Sequence, residues 1–219
     1  ISANYDFLNH FLSLGIDHLW RKRAVKQLQK QQPKVLLDLA TGTGDVAIAC
    51  LKLKPEKIIG MDISSGMLEV GKLKMKKRAF DNIIDMQLGD SEKMPFADHT
   101  FDAITVGFGV RNYENLEKGL GEMLRVLKPG GQAVILEFSK PKAFPVKQLF
   151  GFYSKVLIPL FGKYISKDER AYTYLPESVA AFPEGAAFVA VLEKVGYQTS
   201  EPIRLSGGIA SIYIGTKKQ

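Results

Sequence analysis

Short β-branched apolar segments alternate with amphipathic segments of helical period as far as Phe138, and this alternation constrains the fold more than any other feature. It is typical of a doubly wound α/β fold, in which helices cover both faces of a mostly parallel sheet. We predict strands at Val35–Leu39, Lys57–Met61, Ile84–Leu88, Phe101–Val106 and Gln132–Phe138. The crossover helices are predicted at Asp45–Leu53, Ser64–Ala79 and Asn115–Leu127.

The pattern changes after Pro141. Residues 144–167 are rich in aromatic and β-branched side chains but are interrupted by prolines and lysines, so they do not predict a further βα unit. Beyond them we predict a helix and a closing pair of strands, at Pro183–Val195, Tyr197–Arg204 and Gly208–Thr216. We therefore expect one domain over residues 1–219, with an N-terminal helical lid over about 1–31 and a substrate-side insertion over about 141–183.

The chain carries 30 Lys and Arg against 23 Asp and Glu, a net charge of +7. An anionic membrane, a nucleic acid or simply a solvated lysine-rich surface would account for this charge. A single cysteine, Cys50, excludes an internal disulfide and a Cys-rich zinc site, and the histidines lack the spacing of ligands, so no metal is predicted. We find neither a signal peptide nor an apolar run long enough to span a bilayer, and we expect a cytoplasmic protein.

The most informative motif is the loop Asp38–Asp45, which joins the first predicted strand to the following helix. Gly42 and Gly44 permit positive φ and let the backbone pass close to a ligand at the helix N-terminus, where free N–H groups collect. Asp62 ends the next strand, where a carboxylate can accept hydrogen bonds from both hydroxyls of a ribose. Together these residues predict a nucleoside site.

A dinucleotide site is one alternative, because Gly42, Gly44 and Ala47 satisfy the spacing G-x-G-x-x-A. Asp38 argues against it. Its carboxylate, where the strand gives way to the loop, can meet the ammonium group of a bound amino acid, whereas a pyrophosphate gains nothing from it.

A further acidic residue, Asp90, ends the third predicted strand and is followed by Ser91. Either residue can bond an adenine edge. Carboxylates then stand at three successive strand ends, an arrangement that suits a ligand carrying both a sulfonium and an ammonium group. The sequence therefore favours S-adenosylmethionine over a dinucleotide.

The chain resembles the ubiquinone/menaquinone biosynthesis C-methyltransferases over nearly its whole length. One signature region runs from Tyr5 to Trp20 and begins Tyr-Asp-Phe-Leu-Asn, and another runs from Arg125 to Ser139 through Lys-Pro-Gly-Gly. Residues 108–112 and 172–178 also match. The resemblance implies a class I methyltransferase fold, Rossmann-like with a mostly parallel seven-stranded sheet. It also implies C-methylation of a demethylmenaquinol to menaquinol with S-adenosylmethionine.

Carried over residue by residue, the resemblance implies cofactor contacts at Thr43, Asp62, Asp90 and Ser91. The chain departs from the family's pattern at Leu8, where Met is usual, at Asp17, where His is frequent, and at Gly107, where some members have Ser. Gly107 has no side chain to offer the cofactor. Asp17 puts in doubt any proton-transfer role of the usual histidine.

Methyl transfer from a sulfonium to carbon is an in-line displacement, so the enzyme must mainly hold the carbon against the methyl group and exclude water. A hydroquinone carbon becomes nucleophilic when the neighbouring oxygen loses its proton, which needs a base or a nearby cation. Arg111 and Glu137 are the predicted catalytic residues, Arg111 beside the phenolate and Glu137 on the substrate; a structural ion pair or another structural role is the alternative. Substrate contacts are predicted at Tyr5, Asn9, Asn112, Tyr153 and Tyr172.

Other functions stay open. A ubiquinone-precursor methyltransferase would share every motif, and a nucleic-acid methyltransferase would use the same fold, although Cys50 alone cannot run two-cysteine pyrimidine chemistry. A non-catalytic scaffold would not need an intact glycine loop. We expect a lipid-soluble quinol as substrate, with peripheral contact to an anionic membrane at its inner face. Residues 147–161 would grip the polyprenyl tail or lie on the membrane; an amphipathic helix packed in the core is the alternative. We expect no nucleic-acid partner, and a homodimer is compatible with the sequence.

Overall fold

The computed structural model describes residues 15–152 and 177–219, which form a β-sheet with helices on both faces. The strands are β1 (Val35–Leu39), β2 (Lys57–Asp62), β3 (Ile84–Leu88), β4 (Phe101–Gly107), β5 (Leu127–Phe138), β6 (Gln198–Thr199), β7 (Ile203–Leu205) and β8 (Ala210–Thr216). The helices include α1 (Asp17–Lys26), α2 (Asp45–Cys50), α3 (Ser65–Lys77), α4 (Leu116–Val126), α5 (Val146–Phe152) and α6 (Ala186–Val195). The α/β fold expected from the sequence is confirmed.

The strand order is β3-β2-β1-β4-β5-β8-β6, and β7 also pairs with β8. Strands β1 to β5 run parallel to their neighbours, whereas β8 is antiparallel to β5. The chain moves outward from β1 to β3 and then returns to place β4 on the other side of β1. Ligands of open α/β sheets bind at such a switch point, beyond the carboxyl ends of the strands.

Alternate residues of the strands enter two separate cores, one on each face of the sheet. Leu36 and Ile58 face a core that also contains Trp20 of α1, Val46 of α2 and Leu68 of α3. Their neighbours Leu37 and Ile59 face a second core, which contains Leu120 of α4 and Phe188 of α6. Because both faces are covered, β1 and β2 are apolar at nearly every position, which is why they are recognisable in the sequence.

Two helices begin at a side chain that caps the first turn. The Ser64 hydroxyl accepts a hydrogen bond from the backbone nitrogen of Met67 at 3.4 Å, and Asn115 accepts one from Lys118 at 3.0 Å. Each cap satisfies an N–H group that the first turn of the helix leaves without an intrahelical partner. Helix α6 ends at Gly196, whose φ of 118° would be strained in a residue with a side chain.

The closing strands differ from the prediction. The expected strand Tyr197–Arg204 is divided into β6 and β7, which both pair with β8. Pro202 lies in the gap and has no N–H group to donate to the ladder, which accounts for the break. The sheet therefore has eight strands where seven were expected.

Strand β5 also begins earlier than predicted, at Leu127 instead of Gln132. Phe101 pairs with Leu127 and Ala103 pairs with Gln132, so the intervening Lys-Pro-Gly-Gly segment forms an irregularity within the strand. Among the described helices, none combines the length and the hydropathy needed to cross a membrane.

Candidate active site

A cavity of about 530 Å³ opens at the carboxyl edge of the sheet, around the switch point between β1 and β4. Its walls come from the loops after β1, β2, β3 and β4 and from helices α1, α2 and α3. The lining residues are Arg21, Ala40, Thr41, Gly42, Asp45, Val46, Asp62, Ile63, Ser64, Met67, Asp90, Ser91, Glu92, Gly107, Phe108, Gly109, Asn112, Tyr113 and Glu114. The predicted cofactor residues Gly42, Asp62, Asp90 and Ser91 are thus brought together.

The glycine loop is joined to the end of β2 by Asp62. Its Oδ2 accepts a hydrogen bond from the backbone nitrogen of Gly42 at 2.8 Å, and its Oδ1 accepts one from Ser64 at 2.8 Å. Gly42 and Gly44 have φ values of 57° and 87°, which side chains strain, so the loop needs glycine at both positions. The carboxylate is therefore fixed in orientation at the cavity wall.

Asp38 lies beneath the loop and does not line the cavity, which corrects its predicted role as a direct ligand. Only 1% of the residue is exposed, and its carboxylate accepts hydrogen bonds from the Thr41 hydroxyl at 2.6 Å, the Thr105 hydroxyl at 2.7 Å and the Ala47 nitrogen at 3.1 Å. Burial raises the pKa of Asp38 to about 6, although these donors lower it. The residue holds the loop from below.

Asp90 and Ser91 form the far side of the cavity, after β3. Asp90 Oδ1 accepts a hydrogen bond from the backbone nitrogen of Glu92 at 2.8 Å, which closes a tight turn. Tyr113 also lines the cavity; its hydroxyl donates a hydrogen bond to Met123 Sδ at 3.9 Å, and burial raises its pKa above the usual range. The phenol therefore stays protonated and presents a neutral aromatic wall.

Thr43 and Gly44 were predicted cofactor residues, yet neither lines the cavity. The Thr43 hydroxyl accepts a hydrogen bond from Lys74 Nζ at 2.6 Å, and a Cβ added to Gly44 would lie 2.3 Å from Met75 Cε. These two residues pack the loop against α3. Their contribution to the cofactor site is the loop's shape.

Arg21 and Asp45, which line the cavity, belong to a network of four charged side chains that also includes Asp17 and Lys74. Arg21 Nη1 lies 2.8 Å from Asp45 Oδ2, and Lys74 Nζ lies 2.9 Å from Asp45 Oδ1. Arg21 Nη2 lies 3.1 Å from Asp17 Oδ2, one helical turn earlier, where Asp17 is fully buried. Asp17, which replaces the family's frequent histidine, thus holds an arginine in place.

The loop after β4 approaches β1 closely. A Cβ on Gly109 would lie 2.4 Å from the Ala40 Cβ, and Phe108 takes a φ of 59°. Phe108 is 3% exposed and packs on Phe138 with ring centroids 4.5 Å apart. Strained backbone next to a cavity is common at functional sites.

Arg111 and Glu137, the predicted catalytic residues, form a buried ion pair and do not line the cavity. Arg111 Nη1 lies 2.7 Å from Glu137 Oε1, and neither side chain is exposed. Arg111 also donates to the Phe108 carbonyl and lies over the Phe138 ring, 5.4 Å from its centroid. The structural alternative is the one that this geometry supports, because the guanidinium is engaged inside the protein.

Of the predicted substrate contacts, only Asn112 falls within the described residues, and it lines the cavity. The other four, Tyr5, Asn9, Tyr153 and Tyr172, lie outside those residues, so their roles stay predictions.

The whole chain can be compared with known proteins. Residues 1–217 match the model of the ubiE/COQ5 methyltransferase family. The chain belongs to this family. A demethylmenaquinone methyltransferase of Bacteroides fragilis is 50% identical over 99% of this chain and 89% of its own length. The ubiquinone/menaquinone biosynthesis C-methyltransferase UbiE of Geotalea uraniireducens is 44% identical over 99% of this chain and 93% of its own.

Solved methyltransferase structures share the fold. A SAM-dependent methyltransferase from Aquifex aeolicus superposes with a TM-score of 0.63 at 19% identity, covering 88% of each chain. A putative S-adenosyl-L-methionine-dependent methyltransferase from Methanococcus maripaludis gives a TM-score of 0.66 at 20% identity, covering 100% of this chain and 92% of its own. The class I methyltransferase fold is thereby confirmed.

Family membership confirms two of the predictions made from the sequence. The ubiE/COQ5 protein described here is a methyltransferase, and its methyl donor is S-adenosylmethionine. Sequence reasoning missed Arg21, Asp45, Phe108 and Tyr113 as cavity residues. No spacing rule joins them, because they come from separate elements; the available signals were that Asp45 ends the glycine-loop motif and that Phe108 begins the matching segment 108–112.

Proposed function

We propose that this ubiE/COQ5 protein transfers a methyl group from S-adenosylmethionine to a ring carbon of a demethylmenaquinol, a 2-polyprenyl-1,4-naphthoquinol. The observation that carries the proposal is the cavity whose predicted nucleoside contacts, Gly42, Asp62, Asp90 and Ser91, converge at the switch point. The acceptor is supported by relatives named demethylmenaquinone methyltransferase, 50% identical in Bacteroides fragilis and 42% identical in Porphyromonas gingivalis.

The residues of the cavity fit the cofactor. Asp62 would accept hydrogen bonds from the ribose hydroxyls, because a carboxylate at the cavity wall can accept several hydrogen bonds and the backbone bonds from Gly42 and Ser64 fix its orientation. Asp90 and Ser91 would bond the adenine. Asp45, whose carboxylate lines the cavity where Asp38 does not, would face the ammonium group.

The cofactor supplies, when bound, an electrophilic methyl group on a sulfonium. The chain's own task is to place the acceptor carbon in line with that group and to keep water away. Phe108 and Tyr113 provide apolar walls for this purpose, and Asn112 offers an amide that can bond a ring oxygen. Carboxylates in the cavity wall favour binding of the cationic sulfonium over its neutral thioether product, which assists exchange of product for substrate and does not lower the barrier to transfer.

A ubiquinone precursor is the second candidate acceptor. Relatives such as UbiE of Geotalea uraniireducens carry a name that includes both quinones. The naphthoquinol and benzoquinol rings differ in width, but each has a ring carbon that can accept a methyl group from the same cofactor site. Nucleic acid is disfavoured because the chain belongs to the ubiE/COQ5 family and its relatives are named for menaquinone and ubiquinone biosynthesis.

The proposal is tested by methyl transfer to competing acceptors. Purified protein is incubated with radiolabelled S-adenosylmethionine and, in parallel, reduced demethylmenaquinol, a demethylated ubiquinol precursor and bulk RNA. We expect label chiefly in the naphthoquinol. Equal or greater labelling of the benzoquinol would favour the second candidate, and label in RNA alone would overturn the quinol assignment.

We also propose that the protein meets the membrane peripherally, near helix α5. Phe144 is 81% exposed and Leu149 is 67% exposed, and the exposed Lys142 and Lys147 lie beside them. Apolar side chains flanked by lysines bind anionic lipid surfaces. The double variant Phe144→Ser/Leu149→Ser should sediment less with phosphatidylglycerol vesicles than the wild type.

The matched control for this experiment is Leu88→Ser, since Leu88 is 63% exposed at the end of β3 and no lysine lies within four residues of it in the sequence. It should sediment like the wild type. Equal binding of the wild type and the double variant, or equal binding to phosphatidylcholine vesicles, would contradict the proposed contact.

A further inference from the structure

The cavity carries an uneven set of charges. Carboxylates of five residues line it, yet among its described lining residues Arg21 is the only lysine or arginine. S-adenosylmethionine brings a sulfonium, an ammonium and a carboxylate. Carboxylates of the protein suit the two cations, whereas the carboxylate of the ligand needs a positive partner to be held in such a cavity.

Arg21 lies at the end of the cavity where the carboxylate of the ligand is expected. Along the sheet the cavity runs from β3 through β2 and β1 to β4, with helix α1 packed on α2 and β5. The nucleoside contacts, Asp90 and Asp62, follow β3 and β2. A nucleoside held there directs its amino-acid tail toward β1, β4 and α1, and Arg21 lies at that end.

Arg21 is also fixed before any ligand binds. Asp17 and Asp45 each contact one of its terminal nitrogens, and its side chain is only 8% exposed. Asp17 and Asp45 balance the charges of Arg21 and Lys74, which lies on the other oxygen of Asp45, but the guanidinium has five N–H donors and its Nε has no hydrogen-bond partner among the described residues. A guanidinium held in this way loses little conformational entropy when it binds a carboxylate.

We propose that Arg21 binds the carboxylate of the methionine moiety of S-adenosylmethionine. This inference rests on the cofactor assigned under the proposed function. A contact between Arg21 and the cofactor makes helix α1 part of the cofactor site, whereas the sequence predicted it as part of an N-terminal helical lid. The specificity it predicts is for adenosyl ligands that keep their α-carboxylate.

The test compares S-adenosylmethionine with its decarboxylated form, which differs by the carboxylate alone, using isothermal titration calorimetry. The measured quantity is the ratio of the dissociation constant for the decarboxylated ligand to that for S-adenosylmethionine. A charge-assisted hydrogen bond is worth roughly 10-fold or more in affinity. In Arg21→Met this ratio should fall about 10-fold or more from its wild-type value.

Two control variants separate a direct contact from other effects. Arg23→Met makes the same substitution at an exposed position of α1 and should leave the ratio unchanged. Lys74→Met removes a cation from the other oxygen of Asp45 and should change the ratio far less than Arg21→Met. If Arg21→Met does not fold, Arg21→Lys gives the same comparison, and the ratio should fall partway.

An unchanged ratio in the Arg21 variants, or an equal fall in Lys74→Met, would overturn the assignment of Arg21 while leaving the cofactor in place. Wild-type protein that binds neither ligand would contradict the cofactor site itself. Wild-type protein that binds S-adenosylmethionine but labels no quinol would contradict only the proposed acceptor.

Discussion

The backbone nitrogen of Gly42 lies 2.8 Å from Oδ2 of Asp62, so this carboxylate joins the glycine loop to the end of β2. The same carboxylate accepts a second backbone bond from Ser64, at the cap of α3. One side chain therefore fixes the loop, the strand end and the next helix around the candidate cofactor cavity. This arrangement makes Asp62 the most direct place to test the cofactor site.

Asp62→Asn should weaken S-adenosylmethionine binding by about 10- to 100-fold, because an amide has only one oxygen to accept hydrogen bonds and carries no charge. Calorimetry on the purified variant measures the loss. The matched control is Asp85→Asn, an exposed position on β3 outside the cavity, which should bind like the wild type. Equal affinities for the wild type and Asp62→Asn would place the cofactor elsewhere.

Asp38 predicts a dependence of stability on pH. The unfolded chain releases the Asp38 proton near pH 3.9, whereas the folded protein holds it until its raised pKa of about 6. Between these values the folded state binds more protons, so this residue lowers the free energy of unfolding as the pH rises, by about 3 kcal/mol in all. Asp38→Asn should lack this fall in urea denaturation between pH 4 and 7.

The variant Thr105→Val tests the same explanation at a residue that donates a hydrogen bond to Asp38. It removes a donor that favours the ionised carboxylate, so the pKa of Asp38 should rise further and the loss of stability should extend to higher pH. An Asp38→Asn variant with the wild-type pH dependence would contradict the role of burial.

The Arg111–Glu137 pair should behave as a structural ion pair. Arg111→Met leaves a buried carboxylate without its cation and should cost about 3–5 kcal/mol in the free energy of unfolding. The double variant Arg111→Met/Glu137→Gln should be less destabilised than the sum of the two single variants. An Arg111→Met protein that is as stable as the wild type but transfers no methyl group would restore a catalytic role.

Gly44 is expected to be intolerant of a side chain. Its φ of 87° and the 2.3 Å approach to Met75 Cε mean that Gly44→Ala should lower the free energy of unfolding by about 1–3 kcal/mol. Gly121→Ala is the matched control, since it lies in α4 with no atom within 4 Å of the added Cβ. That change should stabilise the protein by up to about 1 kcal/mol.

Most of the sheet could be predicted because β1, which is buried on both faces, is apolar at nearly every position, and because β3 alternates apolar with polar residues. Val35–Leu39 and Ile84–Leu88 have the predicted bounds, while β2 and β4 each extend by one residue. The division between β6 and β7 was missed, since it depends on a proline within a segment that otherwise reads as one strand. The early start of β5 depends on its pairing with Phe101, which no local pattern reveals.

The candidate site was only partly predictable. Asp62 and Asp90 end their strands in the sequence, so their meeting at one edge follows from the parallel sheet. Asp38 also ends a strand, but its burial depends on the hydroxyls of Thr41 and Thr105, one of them on another strand. The pairing of Arg111 with Glu137 joins two strand ends 26 residues apart, and such contacts require the folded structure.

The central claim is that the methyl group passes to carbon in a naphthoquinol ring. The most direct test supplies S-adenosylmethionine with a deuterated methyl group and reduced demethylmenaquinol, and locates the label in the product by mass spectrometry and NMR. We predict a deuterated methyl group on the ring carbon beside the quinol oxygen, with no methyl ether. Label on oxygen, or an unlabelled quinol in the presence of bound cofactor, would contradict the account.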